Sequence, residues 1–240
     1  VKRFIISLSL FLPILFFMGC DDDSEIKNHI IAKIPEASGI SYCENSDTLV
    51  VANDEGKFYE IDKSGKILNT NLLGKFDLEG VVCEEDRFVF ALEDGKILTV
   101  ERKTLTQNLI AIEGLEKLKK NSGIEGIAKI GKKFILSSQS KEKEDARLII
   151  INLKSDHAKV EDMIKSEIID SSGLEYKDDK LYVVSDKKDK LYLFDIDKKK
   201  ILKKIDLPPF AVEGLTFDND ENIWFSDDDG AVLRYKFKDL

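Results

Sequence analysis

One short phrase, written five times, constrains this chain more than any other feature. It reads SGISYCENSDTLVVAND from Ser38, EGVVCEEDRFVFALED from Glu79, EGIAKIGKKFILSSQ from Glu125, SGLEYKDDKLYVVSD from Ser172 and EGLTFDNDENIWFSDD from Glu213. Each copy sets Ser or Glu before a glycine, then alternating apolar residues, a polar turn and a second apolar run. The glycines, Gly39, Gly80, Gly126, Gly173 and Gly214, lie 41, 46, 47 and 41 residues apart. Period-two alternation bounded by Asp, Asn, Gly and Lys clusters predicts strand-turn-strand units. Recurrence at this period marks a fold in which one unit cannot bury its apolar face alone and must stack on the next.

The expectation is therefore all-β, a five-bladed β-propeller, with six blades as the alternative if the connection between the second and third copies hides a degenerate unit. Each copy continues into a third strand, as at Phe58 to Ile61, Ile97 to Val100, Leu148 to Ile151, Leu191 to Phe194 and Val232 to Tyr235. Four of them continue into a more polar fourth, such as Lys66 to Leu72 or Ile201 to Leu207. The fifth copy reaches Leu240 after its third strand and would leave an open edge. The apolar run Ile30 to Ile34 is suited to pair with that edge and close the ring, which removes a template for aggregation. A short amphipathic helix is expected only at Leu115 to Lys120.

The N-terminus reads as a targeting segment. Lys2 and Arg3 precede an apolar run from Phe4 to Phe17 that meets Cys20 and three aspartates. The run falls short of the roughly 20 apolar residues that a spanning helix requires. Residues 1–19 are thus expected to be a lipoprotein signal peptide, with Gly19-Cys20 resembling a lipobox, Cys20 the lipid attachment point, 20–29 an acidic tether and 30–240 the propeller. More than one acyl chain would make such an anchor stable. Removing residues 1–19 takes away Lys2 and Arg3 and shifts the net charge from −9 to −11. A mature domain so acidic argues against nucleic acid, whose binding depends on cations that neutralise phosphates. Cys43 and Cys83 are expected to be small buried hydrophobes rather than a disulfide.

The SG and EG phrases, the ND, ED and SD pairs that end the second strands, and the N-terminal membrane segment together resemble the SdiA-regulated (YjiK/CarP) family over about Ile30 to Tyr235. The resemblance implies a membrane-associated propeller facing the periplasm; a monomer is expected, and Asp21 after the cysteine, which resembles a retention signal, favours the inner membrane. It also implies a link to calcium-responsive physiology and a distant relation to phytase-like propellers, and it carries no catalytic residues.

In a propeller, the entry to each inner strand and the end of its second strand open on one face. Two sets of residues should share that mouth. Ser38, Glu79, Glu125, Ser172 and Glu213 precede the glycines; Asp54, Glu93, Gln139, Asp186 and Asp227 follow the second strands. Carboxylates converging without cations repel one another, and calcium, which takes six to eight oxygens, is the natural remedy. The candidate calcium ligands are Glu79, Glu125, Glu213, Asp54, Asp186 and Asp227. Against this stand two structural duties: a Glu before Gly can accept backbone N–H groups from the next blade, and Asp after a strand is first a turn residue. Enzyme chemistry has little material. His29 and His157 both lie outside the repeats, so a Ser-His-Asp triad or an imidazole zinc site is not expected. The functional expectation is an envelope propeller that binds calcium or a small ligand, or engages an envelope protein, with calcium-dependent phosphoester hydrolysis as the alternative. The aromatic residues Tyr42, Tyr176, Phe217, Phe88, Phe134, Tyr182 and Trp224 are expected to pack between blades.

Overall fold

The computed structural model describes residues 26–117 and 123–240. The signal segment, Cys20 and most of the tether lie outside the described residues. Within them the chain is all-β. The strands are β1 (Ile30–Lys33), β2 (Ala37–Cys43), β3 (Thr48–Asn53), β4 (Lys57–Asp62), β5 (Ile67–Leu72), β6 (Leu78–Cys83), β7 (Arg87–Leu92), β8 (Lys96–Glu101), β9 (Gln107–Glu113) and β10 (Ile124–Ile130). They continue as β11 (Lys133–Ser138), β12 (Arg147–Leu153), β13 (Ala158–Lys165), β14 (Ser171–Lys177), β15 (Lys180–Ser185), β16 (Lys190–Asp195), β17 (Lys200–Asp206), β18 (Val212–Phe217), β19 (Asn222–Asp227) and β20 (Ala231–Lys236). Of the expected helix at Leu115 to Lys120, Leu115–Lys117 form a 3-10 turn, and the remainder lies outside the described residues.

Strands β2 to β5 and β14 to β17 form four-stranded antiparallel sheets in sequence order. Strands β6 to β9 and β10 to β13 do the same and merge into one eight-stranded sheet, because β13 and β9 pair in parallel at Ala158↔Ile112 and Lys159↔Glu113. The last sheet, β18 to β20, takes β1 as its outer strand through Ala32↔Val232 and Lys33↔Ala231. Both ends of the chain thereby meet in one sheet. His29 extends the closure: its ring stacks on Tyr235 at 3.8 Å and its Nδ1 lies 2.9 Å from the Arg234 carbonyl. With Ile26 packed on the core beneath, the docked region begins before residue 30.

The first strands β2, β6, β10, β14 and β18 contact one another in succession, and β18 returns to β2. The core lies in the seams between sheets: each of five apolar clusters joins one strand set to the next, the last joining β18–β20 to β1–β4. Phe58 of β4 meets Phe88 and Phe90 of β7 at 5.1 and 5.7 Å, and Trp224 is fully buried against the first set. Each such side chain stabilises the fold by about 1.5–3 kcal/mol of removed apolar surface. The outer strands are the least covered, as β5 shows with almost every residue exposed.

The glycines of the phrase explain how five first strands fit around one axis. A Cβ on Gly173 would lie 2.6 Å from the Gly214 Cα, and one on Gly39 only 2.9 Å from the Gly80 Cα. A Cβ on Gly214 would likewise lie 3.1 Å from the Gly39 Cα, while on Gly80 it would meet the Ile127 N at 2.7 Å and on Gly126 the Ser172 carbonyl at 2.9 Å. At every phrase glycine the next strand leaves no room for a side chain.

Candidate functional site

In all five first strands the register shifts beside the phrase glycine, as between Ser171 and Leu174 or between Val212 and Gly214. The pairings Leu78↔Leu92 and Ser171↔Ser185 put the start of each first strand beside the end of its second strand. Both sets of predicted residues therefore lie at one end of the channel, joined there by Glu36, Asp77, Asp170 and Asp228.

Two members of the first set are structural. Ser38 donates its hydroxyl to the Leu78 carbonyl, and Ser172 donates to the Val212 carbonyl at 2.6 Å. Each thereby ties its strand to the residue just before the next glutamate. The glutamates themselves behave otherwise. No backbone N–H reaches the carboxylates of Glu79, Glu125 or Glu213, and among the described residues no Lys or Arg pairs with them or with Asp54, Asp77, Glu93, Asp186, Asp227 or Asp228. The duty of fixing strand spacing through carboxylate–amide bonds is thus not theirs. A Cβ built on Gly123 would lie 3.4 Å from both Glu93 Oε1 and Glu125 Oε1, so the bare face of that glycine gives two carboxylates room to approach.

The electrostatic result is uniform. Burial pushes Glu79 up to about 10, helped by repulsion from Glu125, Asp77, Glu213 and Glu93. Burial likewise raises Glu213 to about 9 and Glu125 to about 7, with Glu125 and Glu93 respectively the leading repelling neighbours. Asp54 rises to about 6 through burial and contact with Glu36, and its buried Oδ1 has no hydrogen-bond partner. Glu93 rises because it shares a hydrogen bond with Asp77, and Asp186 and Asp228 rise by burial and by carboxylate neighbours.

The fifth copy corrects the sequence alignment. Gly214 pairs with Ser226, as Gly39 pairs with Ala52, so the counterpart of Asp54 is Asp228 rather than Asp227. Asp227 matches Asn53, and both are turn residues: the Asp229 N–H donates to Asp227 Oδ1 at 2.9 Å and the Glu55 N–H to Asn53 Oδ1 at 3.0 Å. From the residue after the glycine to its partner on the second strand the fifth copy spans ten positions, Leu215↔Phe225, where the second to fourth span nine, as in Val81↔Phe90, Ile127↔Leu136 and Leu174↔Val183. Counting along the sequence does not reveal where the extra residue inserts. Asp227 is nonetheless buried at the same end, raised to about 6 by burial.

The donor set is oxygen throughout, the chemistry that suits a hard cation. Among the described residues, however, no group of three or more His, Cys, Asp or Glu converges closely enough to hold a metal ion. The carboxylates form a field rather than a coordination shell.

At the opposite end of the channel, Ser41, Val82, Ala128, Glu175 and Thr216, each two residues past its glycine, line a cavity of about 410 Å³. Tyr42, Tyr176, Phe217, Lys129 and Lys177 form its walls. Three of the aromatics expected to pack between blades thus border an open space, while Phe88, Phe134, Tyr182 and Trp224 are buried in the seams. On the rim, Cys43 and Cys83 form a disulfide with a Cα–Cα separation of 5.4 Å. This corrects the expectation of two free thiols: they end β2 and β6, neighbouring first strands held at the spacing a disulfide needs.

A ring of repeated antiparallel sheets whose first strands surround a channel defines the class, a β-propeller. A likeness to the crystal structure of Myxococcus xanthus glutaminyl cyclase supports that fold, with a TM-score of 0.65 over 86% of this chain and 94% of that one, at 11% identity. The SdiA-regulated family model matches residues 21–238, and the chain belongs to that family. No curated protein matches.

Proposed function

We propose that this chain is a five-bladed binding propeller of the cell envelope, anchored through an acylated Cys20, that takes a cation at the acidic end of its channel, with calcium the first candidate. Each four-stranded set is read as one blade, and the merged eight-stranded sheet as two. The observation that carries the function is the acidic end itself: Glu79, Glu125 and Glu213 are drawn together by the close-packed first strands and, among the described residues, left without a counter-charge. Such an arrangement costs stability unless a positive ligand offsets it. Because the oxygens form no preformed shell, a bound cation would draw the side chains inward. The Cys43–Cys83 disulfide favours an oxidising compartment, in keeping with the N-terminal segment.

The hydrolase alternative would need arginines aimed at a phosphate, and the four among the described residues lie elsewhere. Arg87 pairs with Glu84, Arg102 and Arg234 lie over Phe88 and Trp224, and Arg147 donates to the Glu144 carbonyl. Calorimetric titration with calcium chloride, and separately with magnesium chloride, tests the proposal. Calcium should bind and Glu125→Gln should weaken it by about tenfold, corresponding to about 1.4 kcal/mol. The absence of calcium binding to the wild type would end this reading.

A further inference from the structure

We propose that the far end of the channel is a second binding site, for a small zwitterion that carries a primary ammonium and a carboxylate as a free amino acid does, with Glu175 receiving the ammonium and Lys177 the carboxylate.

The chemistry of this cavity is unlike that of the acidic end. In the layer two residues past the glycines, Glu175 is the sole charged residue, among Ser41, Val82, Ala128 and Thr216. Its carboxylate is held in place: Thr216 Oγ1 donates to Oε2 at 2.9 Å, and the Tyr176 N–H donates to Oε1 at 3.1 Å. Thr216 is itself fixed by the Tyr42 N–H, which donates to its hydroxyl at 3.1 Å. Each carboxylate oxygen keeps a second lone pair, and no cation of the described chain pairs with either.

Lys177 lies two residues further along the same strand, so its side chain shares a face with that of Glu175, about 7 Å along the strand. Its ammonium sits 5.0 Å from the centre of the Phe217 ring and makes no ion pair. The other cation on the wall, Lys129, is already bound to Glu84. The cavity therefore offers one anchored carboxyl at depth, one unpaired cation, and the aromatic walls of Tyr42, Tyr176 and Phe217, with the Glu44 carboxylate also on its lining. Burial raises the pKa of that anchored carboxyl to about 7, and an incoming ammonium would hold it ionised. Its volume of about 410 Å³ falls in the ordinary range for small-molecule sites. A simple amine would leave Lys177 unused and a simple carboxylate would face Glu175, whereas a zwitterion satisfies both.

The test is calorimetric titration of the chain against each of the common L-amino acids, with methylamine and acetate as half-ligands. At least one amino acid should bind at least about tenfold more tightly than methylamine. Glu175→Gln should weaken that amino acid by about tenfold or more, and Lys177→Met should reduce it to the level of methylamine while leaving methylamine unchanged. Glu125→Gln, at the opposite end, should leave it unaffected, so this result stands apart from the calcium experiment. Failure of every amino acid to bind at about 10 mM would overturn the proposal, as would equal binding by the wild type and Lys177→Met.

Discussion

The two ends of the channel bury carboxylates in opposite ways. At the acidic end, Glu79, Glu125 and Glu213 have neither donor nor cation among the described residues, and their pKa values rise to about 10, 7 and 9. At the far end, burial would also raise Glu84 and Asp218, yet both fall below the usual range because they are partnered. Glu84 holds Arg87 and Lys129. Asp218 receives the backbone N–H groups of Asp220 and Asn222, the Asn222 amide at 2.6 Å and the Trp224 indole N–H at 2.9 Å. Burial is common to both ends, and what separates these carboxylates is whether the chain supplies the compensation itself. Glu175, at the far end with two hydrogen bonds and no ion pair, rises to about 7 and so sides with the acidic end. Carboxylates left uncompensated by the chain are those available to a ligand.

The comparison breaks most severely where the far end is stapled. Replacing both Cys43 and Cys83 with serine opens a link between residues 40 apart. The chain-entropy account puts its contribution at about 4 kcal/mol, or a fall in Tm of about 10 °C for a domain of this size. Thermal melts of the double variant against the oxidised wild type measure it. Next comes the glycine ring that sets the width of both ends: Gly173→Ala should cost about 1–3 kcal/mol by overpacking, seen as a lowered denaturant midpoint.

Paired substitutions sharpen the contrast. Asp218→Asn should destabilise by about 1–3 kcal/mol, since an amide in place of the carboxylate cannot accept from all four donors. Glu79→Gln should do the reverse above neutral pH. The sign follows from proton linkage. With folded-state pKa values raised above the ordinary 4.5, Glu125, Glu213 and Glu79 hold protons that the unfolded chain has released. Their contribution is fully present below about pH 4.5 and is lost as pH rises through about 7, 9 and 10. The wild type should therefore melt at a lower temperature at pH 8 than at pH 5, and Glu79→Gln should flatten that slope.

Much of the frame was legible in the residues. The phrase positions located all five first strands, and the apolar run at Ile30 was assigned to the open edge of the last sheet, where β1 pairs with β20. What escaped depends on relations between strands that a linear reading does not carry. The disulfide joins the ends of two strands from different sheets, whose spacing is set by the glycine contacts rather than by sequence. Asp228 was displaced in favour of Asp227 because one extra turn residue shifts the count without changing the pattern. Glu175 was passed over because simple alternation from Ser172 puts it on the opposite face, whereas the register shift between Ser171 and Leu174 changes that parity and Glu175 lines the cavity. The signal for it was present: it is the one charged residue at that position in any of the five copies.

The most direct measurement is a titration of the side-chain carboxyl carbons of Glu79, Glu125 and Glu213 by NMR, with and without calcium. An uncompensated acidic end predicts that all three titrate well above 4.5 in the free protein, Glu79 highest, and that calcium moves them down together. Three ordinary titrations near 4.5 without calcium would contradict it.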